Sequence, residues 1–339
     1  MRVYKLKFFS ALHVDSKGSS EPEVADEFIR SDTLSAAMAL AWSGLFPEDG
    51  DPDFFLEPPF QISSAFPYIG NVLLFPIPVW RVWKQAPIGK RKAIKEIRWI
   101  SRDLFEKVLA GNELDYNTGM QLPGGVALSE KEMNANPNLK KYQGWAKSER
   151  QRVAVDRLGI PNDGAGGLFF FALQFFAPDS GLYLIANMDA SKLNRFRASL
   201  SFLGDTGIGA DRSSGLGHFS IRDESDLQMT LPSKSDGSVT LSLFNPGSDD
   251  NLKSLIKSAL YGLTTRSGWI VNSTLGRPPI RVFTEGSYFS GKPKGRVVEM
   301  LPANIRKKNK LPLDHSAPRD FRTLFFPCIQ PPYLEEKLS

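Results

Sequence analysis

The chain has 339 residues, of which 41% are hydrophobic and 23% charged, so it is long enough for two globular domains with a sizeable core. No apolar stretch reaches about 18 residues, and the charged first residues are not those of a signal peptide, which argues against a membrane or secreted protein. One cysteine excludes an internal disulfide and three scattered histidines show no metal-binding spacing, so a reducing, cytoplasmic location without metal or cofactor is expected. A net charge of +5 is weak evidence for a polyanionic partner.

The N-terminal part begins with residues 2–9, where apolar and charged side chains alternate, which predicts a half-buried strand. Ser31-Asp32-Thr33-Leu34 predicts the start of a helix, with Ser31 as N-cap and Asp32 in the positive first turn. This helix runs to about Phe46 and is apolar nearly all round, which predicts burial on most faces. Burial within its own domain is the simpler explanation, and contact with a partner is the alternative.

The middle of the chain mixes one further helix with several strands. A helix is predicted after Ser101, whereas residues 112–150 lack a clear period and are interpreted as a long excursion from the core. Strands are predicted at 151–156 and 181–186. The segment Leu168–Phe176 lies between them, and because it begins with residues that are apolar on both faces, it is predicted to be a central strand.

Strands and helices continue to interleave irregularly in the last part of the chain. Asp189 can cap a helix with apolar residues at helical spacing, and another helix is predicted near 250–263. Strands are predicted near 218–222, 239–244, 267–271, 280–285, 296–301 and 322–327. The pattern predicts an α+β fold of two ferredoxin-like (RRM-like) modules, in domains 1–150 and 151–339 with an approximate boundary across which strands can be shared.

A glycine-rich loop at 204–217 holds five glycines in fourteen positions between a predicted helix and a predicted strand. Glycine allows backbone amides to converge on a ligand, and phosphate is the usual ligand of such a nest. Arg212 and neighbouring hydroxyl groups could add hydrogen-bond donors. The order of helix and strand and the absence of a Lys-Ser/Thr pair argue against a P-loop or a Rossmann fingerprint. A tight connection that binds no ligand is the alternative.

Three segments together resemble a known family: Ser10-Ala11-Leu12-His13 after the first strand, Ser31-Asp32-Thr33-Leu34, and the loop from Gly207 to Gly217 before Phe219. Their order and spacing are similar to those of the RAMP superfamily of CRISPR proteins. More closely, the chain resembles the fourth subunit of the Csm (type III-A) interference complex, in the Cas-five-like group, from about residue 1 to 329. Further matches are Phe75-Pro76-Ile77-Pro78, Arg152-Val153-Ala154-Val155-Asp156-Arg157 and Phe283-Thr284-Glu285-Gly286-Ser287.

The resemblance implies two facing ferredoxin-like modules with an inserted hairpin, or thumb, in a prokaryotic ribonucleoprotein. It implies a non-catalytic subunit that caps the repeat-derived 5′ tag of the crRNA. It also implies contacts with the large polymerase-like subunit and with a backbone subunit. Arg30 and Ala210 depart from the usual pattern, in which a histidine and a glycine are common. The equivalent subunit of a type III-B complex shares these features and remains an alternative.

A single-stranded RNA tag requires cations for its phosphates and aromatic groups for its bases. The residues predicted to bind RNA are His13, Arg152, Arg157, Gly204, Gly207, Gly209, Arg212, Ser213, Ser214, Gly215 and Gly217. The residues predicted to form an RNA path or the thumb are Lys84, Lys90, Arg91, Lys141, Tyr142, Trp145 and Lys147. An ion pair is the alternative role for Arg152, and a solvated surface is the alternative for the basic stretches.

His13 admits a second interpretation, because metal-independent RAMP endoribonucleases use a catalytic histidine. General acid–base cleavage would require a second group close to His13, such as another histidine, a tyrosine or a lysine. The sequence does not demonstrate such a pair. A buried or RNA-contacting His13 is therefore favoured over a catalytic one.

Overall fold

The structure, a computed structural model, describes residues 1–15, 24–49, 52–84, 88–153, 168–270, 276–301, 304, 307, 317–332 and 334. Its helices are α1 (Ser31–Leu45), α2 (Pro52–Leu56), α3 (Arg91–Glu96), α4 (Arg102–Leu109), α5 (Glu130–Ala135), α6 (Leu193–Thr206) and α7 (Leu252–Lys257). Helices and strands are mixed along the chain, which confirms the predicted α+β class. Within the described residues, no helix is long and apolar enough to cross a membrane.

The strands fall into one large sheet and several small ones. The strands up to the glycine-rich loop are β1 (Arg2–Phe8), β2 (Phe60–Ile62), β3 (Phe66–Ile69), β4 (Val72–Pro76), β5 (Trp99–Ser101), β6 (Gln121–Leu122), β7 (Val126–Ala127), β8 (Trp145–Val153), β9 (Leu168–Phe176) and β10 (Ser180–Met188). The later strands are β11 (Phe219–Asp226), β12 (Gly237–Thr240), β13 (Leu263–Trp269), β14 (Gly276–Phe283), β15 (Tyr288–Phe289), β16 (Val297–Glu299), β17 (Pro318–Asp320) and β18 (Phe325–Cys328).

The large sheet has the order β11-β1-β10-β3-β4-β5-β7-β6, and β2 pairs with β10 beside β3. The first strand, β1, lies antiparallel between β10 and β11, which come from the second predicted domain. The predicted boundary at residue 150 falls inside β8. Strands are thus shared across that boundary.

Both faces of the large sheet are buried because its strands alternate two sets of apolar side chains. Tyr4 and Leu6 of β1 pack on one face against α1 and α6. Tyr183 and Ile185 of β10 point to the other face and join the core that includes Phe326 of the C-terminal sheet. That small sheet has the order β15-β12-β18. The C-terminal part of the chain therefore packs directly on the large sheet.

The segment Leu168–Phe176 is not the central strand that its composition predicts. It forms β9, which pairs with β8 along its length, while an isolated bridge joins Leu12 to Gln174. One face of this β8–β9 ribbon covers a small apolar cluster, whereas Phe170 and Phe175 are 38% and 39% exposed. Because side chains alternate along a strand, Phe170 and Phe175 lie on opposite faces of the ribbon, so each face is covered only in part.

Two helix predictions also need correction. α1 begins at Ser31, so Arg30 and not Ser31 is its N-cap residue, and the Ser31 hydroxyl instead accepts the amide of Leu243 at 3.0 Å. α7 is shorter than the predicted helix at 250–263, because the backbone of Leu260 already pairs with Tyr288. In both cases a contact that is distant in sequence replaces a local one.

Candidate functional site

The Ser-Asp-Thr-Leu motif lies where α1 meets the C-terminal part of the chain. Asp32 is fully buried, and its Oδ1 lies 3.1 Å from Nη2 of Arg266 in β13. Burial alone would raise the pKa of Asp32, but the charges of Arg266, Arg277 and Arg319 outweigh it and hold the pKa below its ordinary value. Thr33 accepts a further hydrogen bond from Arg266 at 3.1 Å. The motif therefore forms an internal ion pair.

A second ion pair joins the same two parts of the chain. Arg30 lies 2.7 Å from Glu285, and Glu285 also accepts a hydrogen bond from the hydroxyl of Ser64. The amide of Ser31 donates to the same hydroxyl at 2.9 Å. We call the set Arg30, Ser31, Asp32, Ser64, Arg266 and Glu285 the joint. Two segments that carry the family resemblance, around Ser31 and Glu285, thus meet in the joint.

A pocket of about 460 Å³ opens beside the joint, between α1, α6, the glycine-rich loop and the β13–β14 hairpin. Its volume is typical of pockets for small ligands. Apolar and small side chains from the helices and the loop form one part of its wall: Ala36, Ala37, Leu40, Ala41, Phe202, Leu203 and Ile208. Charged and aromatic side chains form another part: Asp15, Arg212, Arg266, Trp269, Arg277 and Arg319. Four arginines against one lining carboxylate make the pocket electropositive.

Two of these arginines bind only main-chain oxygens in the described part of the chain. Arg277 donates to the carbonyl of Ser267 at 2.7 Å, and Arg319 donates to the carbonyl of Pro318 at 2.9 Å. The Nε atoms of both are buried without a hydrogen-bond partner among the described residues. Burial and the neighbouring charge of Arg319 lower the pKa of Arg277 to about 9. The charges of these two side chains would favour an anion in the pocket.

Many backbone amides of the glycine-rich loop are already hydrogen-bonded within the protein. Six of its amides, and that of His218 directly after the loop, donate to acceptors within the protein; the six are those of Ile208, Ala210, Ser214, Gly215, Leu216 and Gly217. Several acceptors belong to residues 10–13, which follow β1. The predicted amide cradle for phosphate is therefore wrong at these six positions, because their donors are already occupied.

The glycines of this loop occupy their positions for different structural reasons. Gly217 has φ +74°, and a Cβ there would collide with the carbonyl oxygen of Ile208. Gly204 sits in α6, where a Cβ would collide with the carbonyl oxygen of Phe219. Gly215 has φ +83° but faces open space. Close packing of the backbone accounts for the first two positions.

Among the predicted RNA-binding residues, three from the loop line the pocket: Gly207, Gly209 and Arg212. Arg212 begins an exposed turn that also holds Ser213 and Ser214. The structure thus brings part of the predicted set to one pocket, together with three arginines that sequence reasoning missed. Arg266, Arg277 and Arg319 lie in or at the ends of strands, outside the basic stretches that the sequence makes conspicuous.

His13 and Arg152 belong to a stack outside the pocket lining. The His13 ring is buried, its Nδ1 lies 2.7 Å from the carbonyl oxygen of Ala172, and the ring stacks on Phe171 at 4.2 Å. Since a carbonyl only accepts, Nδ1 carries the proton and donates. Arg152 lies 4.2 Å from the same Phe171 ring and forms an ion pair with Asp211 of the loop. The stack fastens the β8–β9 ribbon to the glycine-rich loop.

The residues predicted for the thumb or RNA path are spread over several surfaces. Trp145 is buried in the main core at the start of β8, and Tyr142 accepts a hydrogen bond from the amide of Asp179 at 3.3 Å. The exposed lysines Lys84 and Lys147 form ion pairs with Asp115 and Glu27 respectively. The remaining three are exposed: Lys90, Arg91 and Lys141. The predicted RNA-binding residue Arg157 lies outside the described residues.

Comparison with known sequences identifies relatives of the chain. The family model of the CRISPR Csm4 C-terminal domain matches residues 233–311. The chain is 26% identical over 247 residues to CRISPR system Cms protein Csm4 of Mycobacterium tuberculosis H37Rv, covering 71% of this chain and 73% of that protein. It is 25% identical over 347 aligned positions to the Csm4 protein of Methanocaldococcus jannaschii, covering 90% and 89%. These likenesses confirm the resemblance to the fourth Csm subunit.

Comparison with solved structures shows a similar fold over nearly the whole chain. A chain in the crystal structure of a Csm3–Csm4 subcomplex of the type III-A interference complex matches with a TM-score of 0.67 at 20% identity, covering 96% of this chain and 98% of that chain. A chain in the crystal structure of a Csm1–Csm4 cassette with cA4 matches with a TM-score of 0.55 at 18% identity, covering 97% and 98%.

Proposed function

We propose that this chain, a relative of the Csm4 proteins, is a non-catalytic RNA-binding subunit of a type III-A CRISPR interference complex. In this role it binds the repeat-derived 5′ tag of the crRNA and links the large polymerase-like subunit to the backbone subunits. The observation that carries the proposal is the pocket, in which the glycine-rich loop and four arginines face one space. Phosphate neutralisation by such side chains dominates the affinity of proteins for nucleic acid.

The topology of the large sheet supports a ferredoxin-like N-terminal module. The chain order β1-α1-β3-β10-α6-β11 is a β-α-β-β-α-β sequence, and its four strands are neighbours in the order β11-β1-β10-β3. The elements between β3 and β10 are then an insertion, and the β8–β9 ribbon at its end is the part that corresponds to the thumb. The ribbon exposes the basic side chains of Lys147 and Arg150 in β8.

The partners follow from the relatives. Similar chains occur in complexes described as Csm3–Csm4 and Csm1–Csm4. The sequence relatives are named Csm4, which favours type III-A over type III-B. We propose corresponding Csm3-like and Csm1-like partners for this chain.

The environment of His13 argues against RNA cleavage by this residue. Its side chain is buried and held between Phe171 and the carbonyl of Ala172. A general acid or base must reach the substrate, and a ring enclosed in this way has no route to a scissile phosphate. Cleavage of precursor RNA by the isolated chain, abolished by His13→Ala, would instead establish the endoribonuclease alternative.

Reconstitution with the Csm1-like and Csm3-like partners and crRNA tests the proposal. We expect the complete complex to protect a short 5′ segment of the RNA from nucleases, and complexes without this chain to leave it unprotected. In the free chain, Arg212→Glu should weaken RNA binding and reduce the slope of log affinity against log salt by about 0.7 for each phosphate that is no longer neutralised. Arg197→Glu is the control, because Arg197 is exposed on α6 and does not line the pocket. An unprotected 5′ end in the complete complex would refute the role.

A further inference from the structure

Arg277 and Arg319 carry charges that the described part of the protein does not neutralise with an ion pair. Asp32 attracts both of them, but its carboxylate is already paired with Arg266. Each keeps a buried Nε atom without a partner among the described residues, and both side chains line the pocket. Burying a cation without an anion is costly. Two such cations at one pocket indicate a bound anion.

The apolar wall of the pocket restricts what that anion is attached to. Ala36, Ala37 and Ala41 of α1 present small side chains, which leave room between α1 and Leu203 of α6. The indole of Trp269 is 56% exposed at the pocket. A flat, largely apolar group with an adjacent negative charge fits these surroundings. A nucleotide has both features, and single-stranded RNA can present one by unstacking it.

We propose that this pocket binds one unstacked nucleotide of the RNA, with its phosphate held by Arg277 and Arg319 and its base against the alanine-lined wall of α1. The proposal rests on the RNA-binding function proposed above. It assigns the pocket a single nucleotide, in contrast to a groove that contacts the RNA evenly along its length. Trp269 provides an aromatic face for the base or its neighbour.

Replacing the phosphate linkages of the RNA one at a time with an uncharged analogue locates such a nucleotide. The full chain is titrated with a short single-stranded RNA of the tag sequence in which one linkage at a time is a methylphosphonate, and affinity is measured by fluorescence anisotropy. We expect one linkage at which the substitution weakens binding by about ten- to a hundredfold, because it removes a charge-assisted hydrogen bond. That penalty should disappear in Arg277→Met/Arg319→Met. A flat profile, or the same peak in the double variant, overturns the proposal.

The base is tested by the same logic. An abasic nucleotide at the sensitive position should weaken binding to the native chain, and Ala37→Phe, which fills the pocket, should remove that difference. Equal binding of abasic and normal RNA by the native chain overturns the placement of the base. A free nucleotide offers the same phosphate and base, so adenosine monophosphate is titrated as a further arm. Binding of the monophosphate as tight as that of the RNA would identify a free-nucleotide site and overturn the RNA assignment.

Melting temperatures separate binding from folding. Arg277→Met should raise the melting temperature of the free chain, because it replaces a buried uncompensated cation with an apolar side chain. Weaker RNA binding by a more stable protein cannot be attributed to unfolding. A lower melting temperature would make Arg277 a structural residue and overturn the proposal. Arg197→Met, on an exposed arginine outside the pocket lining, should leave the methylphosphonate profile unchanged.

The two proposals fail differently. If the native chain and its complex bind no RNA at any salt concentration, the proposed function fails together with the pocket assignment. If RNA binding is normal and the linkage profile is flat, only the pocket assignment fails. If Arg277→Met/Arg319→Met impairs assembly with the partner subunits and leaves the RNA profile intact, a protein side chain occupies the pocket and the nucleotide assignment is overturned.

Discussion

Buried arginines occupy two adjacent regions of this molecule with different surroundings. In the joint, Arg266 faces the buried carboxylate of Asp32, and the pair connects α1 to β13. In the pocket, Arg277 and Arg319 meet main-chain carbonyls and no carboxylate within ion-pair distance among the described residues. Arginine therefore holds two parts of the chain together in the joint, whereas the arginines of the pocket remain available to a ligand. The difference between the two roles is whether a carboxylate lies within ion-pair distance of the arginine.

The largest expected effect is at the joint. Asp32→Ala leaves Arg266 buried without its anion and should lower the free energy of unfolding by about 3–5 kcal/mol, measured by urea denaturation. Arg266→Met combined with Asp32→Ala should recover part of the loss, because the unpaired cation is gone. A loss below about 1 kcal/mol in the single variant, typical of an exposed pair, would remove the distinction between joint and pocket.

The second largest loss of stability is expected in the glycine-rich loop, which borders the pocket. Gly217→Ala combines an unfavourable φ of +74° with a collision against the Ile208 carbonyl and should cost about 3–4 kcal/mol. Gly215→Ala has a similar φ but open space around the new methyl group, so about 1–2 kcal/mol is expected. Thermal unfolding of both variants checks the contrast, and equal losses would contradict the packing role of Gly217.

The pocket should respond in the opposite direction to the joint. Arg277→Met should stabilise the free chain by about 1–2 kcal/mol, because an unpaired buried cation is replaced by an apolar side chain. Denaturant unfolding at neutral pH measures the difference. Destabilisation would show that Arg277 has the same kind of role as Arg266.

The stability difference between the native chain and Arg277→Met should depend on pH. The pKa of Arg277 is about 9 in the folded chain, well below its ordinary value. Below pH 9 both states carry the charge, so its burial destabilises the native chain fully. Above pH 9 the folded state releases the proton before the unfolded state does, and the native chain gains stability relative to Arg277→Met. The stability gap between them should therefore narrow as pH rises above about 9, measured by unfolding at about pH 7, 9 and 10. A constant gap would contradict this.

The smallest effect is expected where the ribbon meets the loop. Arg152 and Asp211 are 31% and 30% exposed, so Arg152→Met should cost no more than about 1 kcal/mol. High salt should reduce this cost, because salt screens the attraction between the two charges. Arg152→Lys keeps the charge but weakens the stacking on Phe171, so its stability should fall between those of the native chain and Arg152→Met. A larger cost that does not depend on salt would point to packing alone.

The pattern of residues was sufficient for several elements that local physics dictates. Strand β1 follows from its alternation and α6 from the helical spacing of its apolar residues, whereas the N-cap residue predicted for α1 is wrong. The strand at Leu168–Phe176 is also predicted correctly, but its predicted central position is wrong. Apolar residues on two faces do not reveal whether those faces are covered by the same sheet, by another cluster or by nothing.

The candidate site was predicted in part. The glycine-rich loop and Arg212 do border the pocket, but six loop amides and that of His218 already donate to acceptors within the protein, which the glycine content of the loop does not disclose. The sequence did not predict the other three arginines of the pocket, because they lie outside its conspicuous basic stretches: Arg266, Arg277 and Arg319. Their meeting depends on the β13–β14 hairpin and β17 both packing near the start of α1.

The α+β class, the family resemblance, the positions of the main helices and the loop that borders the pocket could all be predicted from the order of residues. These properties depend on side-chain periodicity and on motifs within short segments. The folded chain was needed to show that Asp32 pairs with Arg266 and that Arg277 and Arg319 do not have such a partner among the described residues. Ion pairing depends on distances of a few ångströms between residues more than two hundred positions apart, and no local pattern encodes that distance.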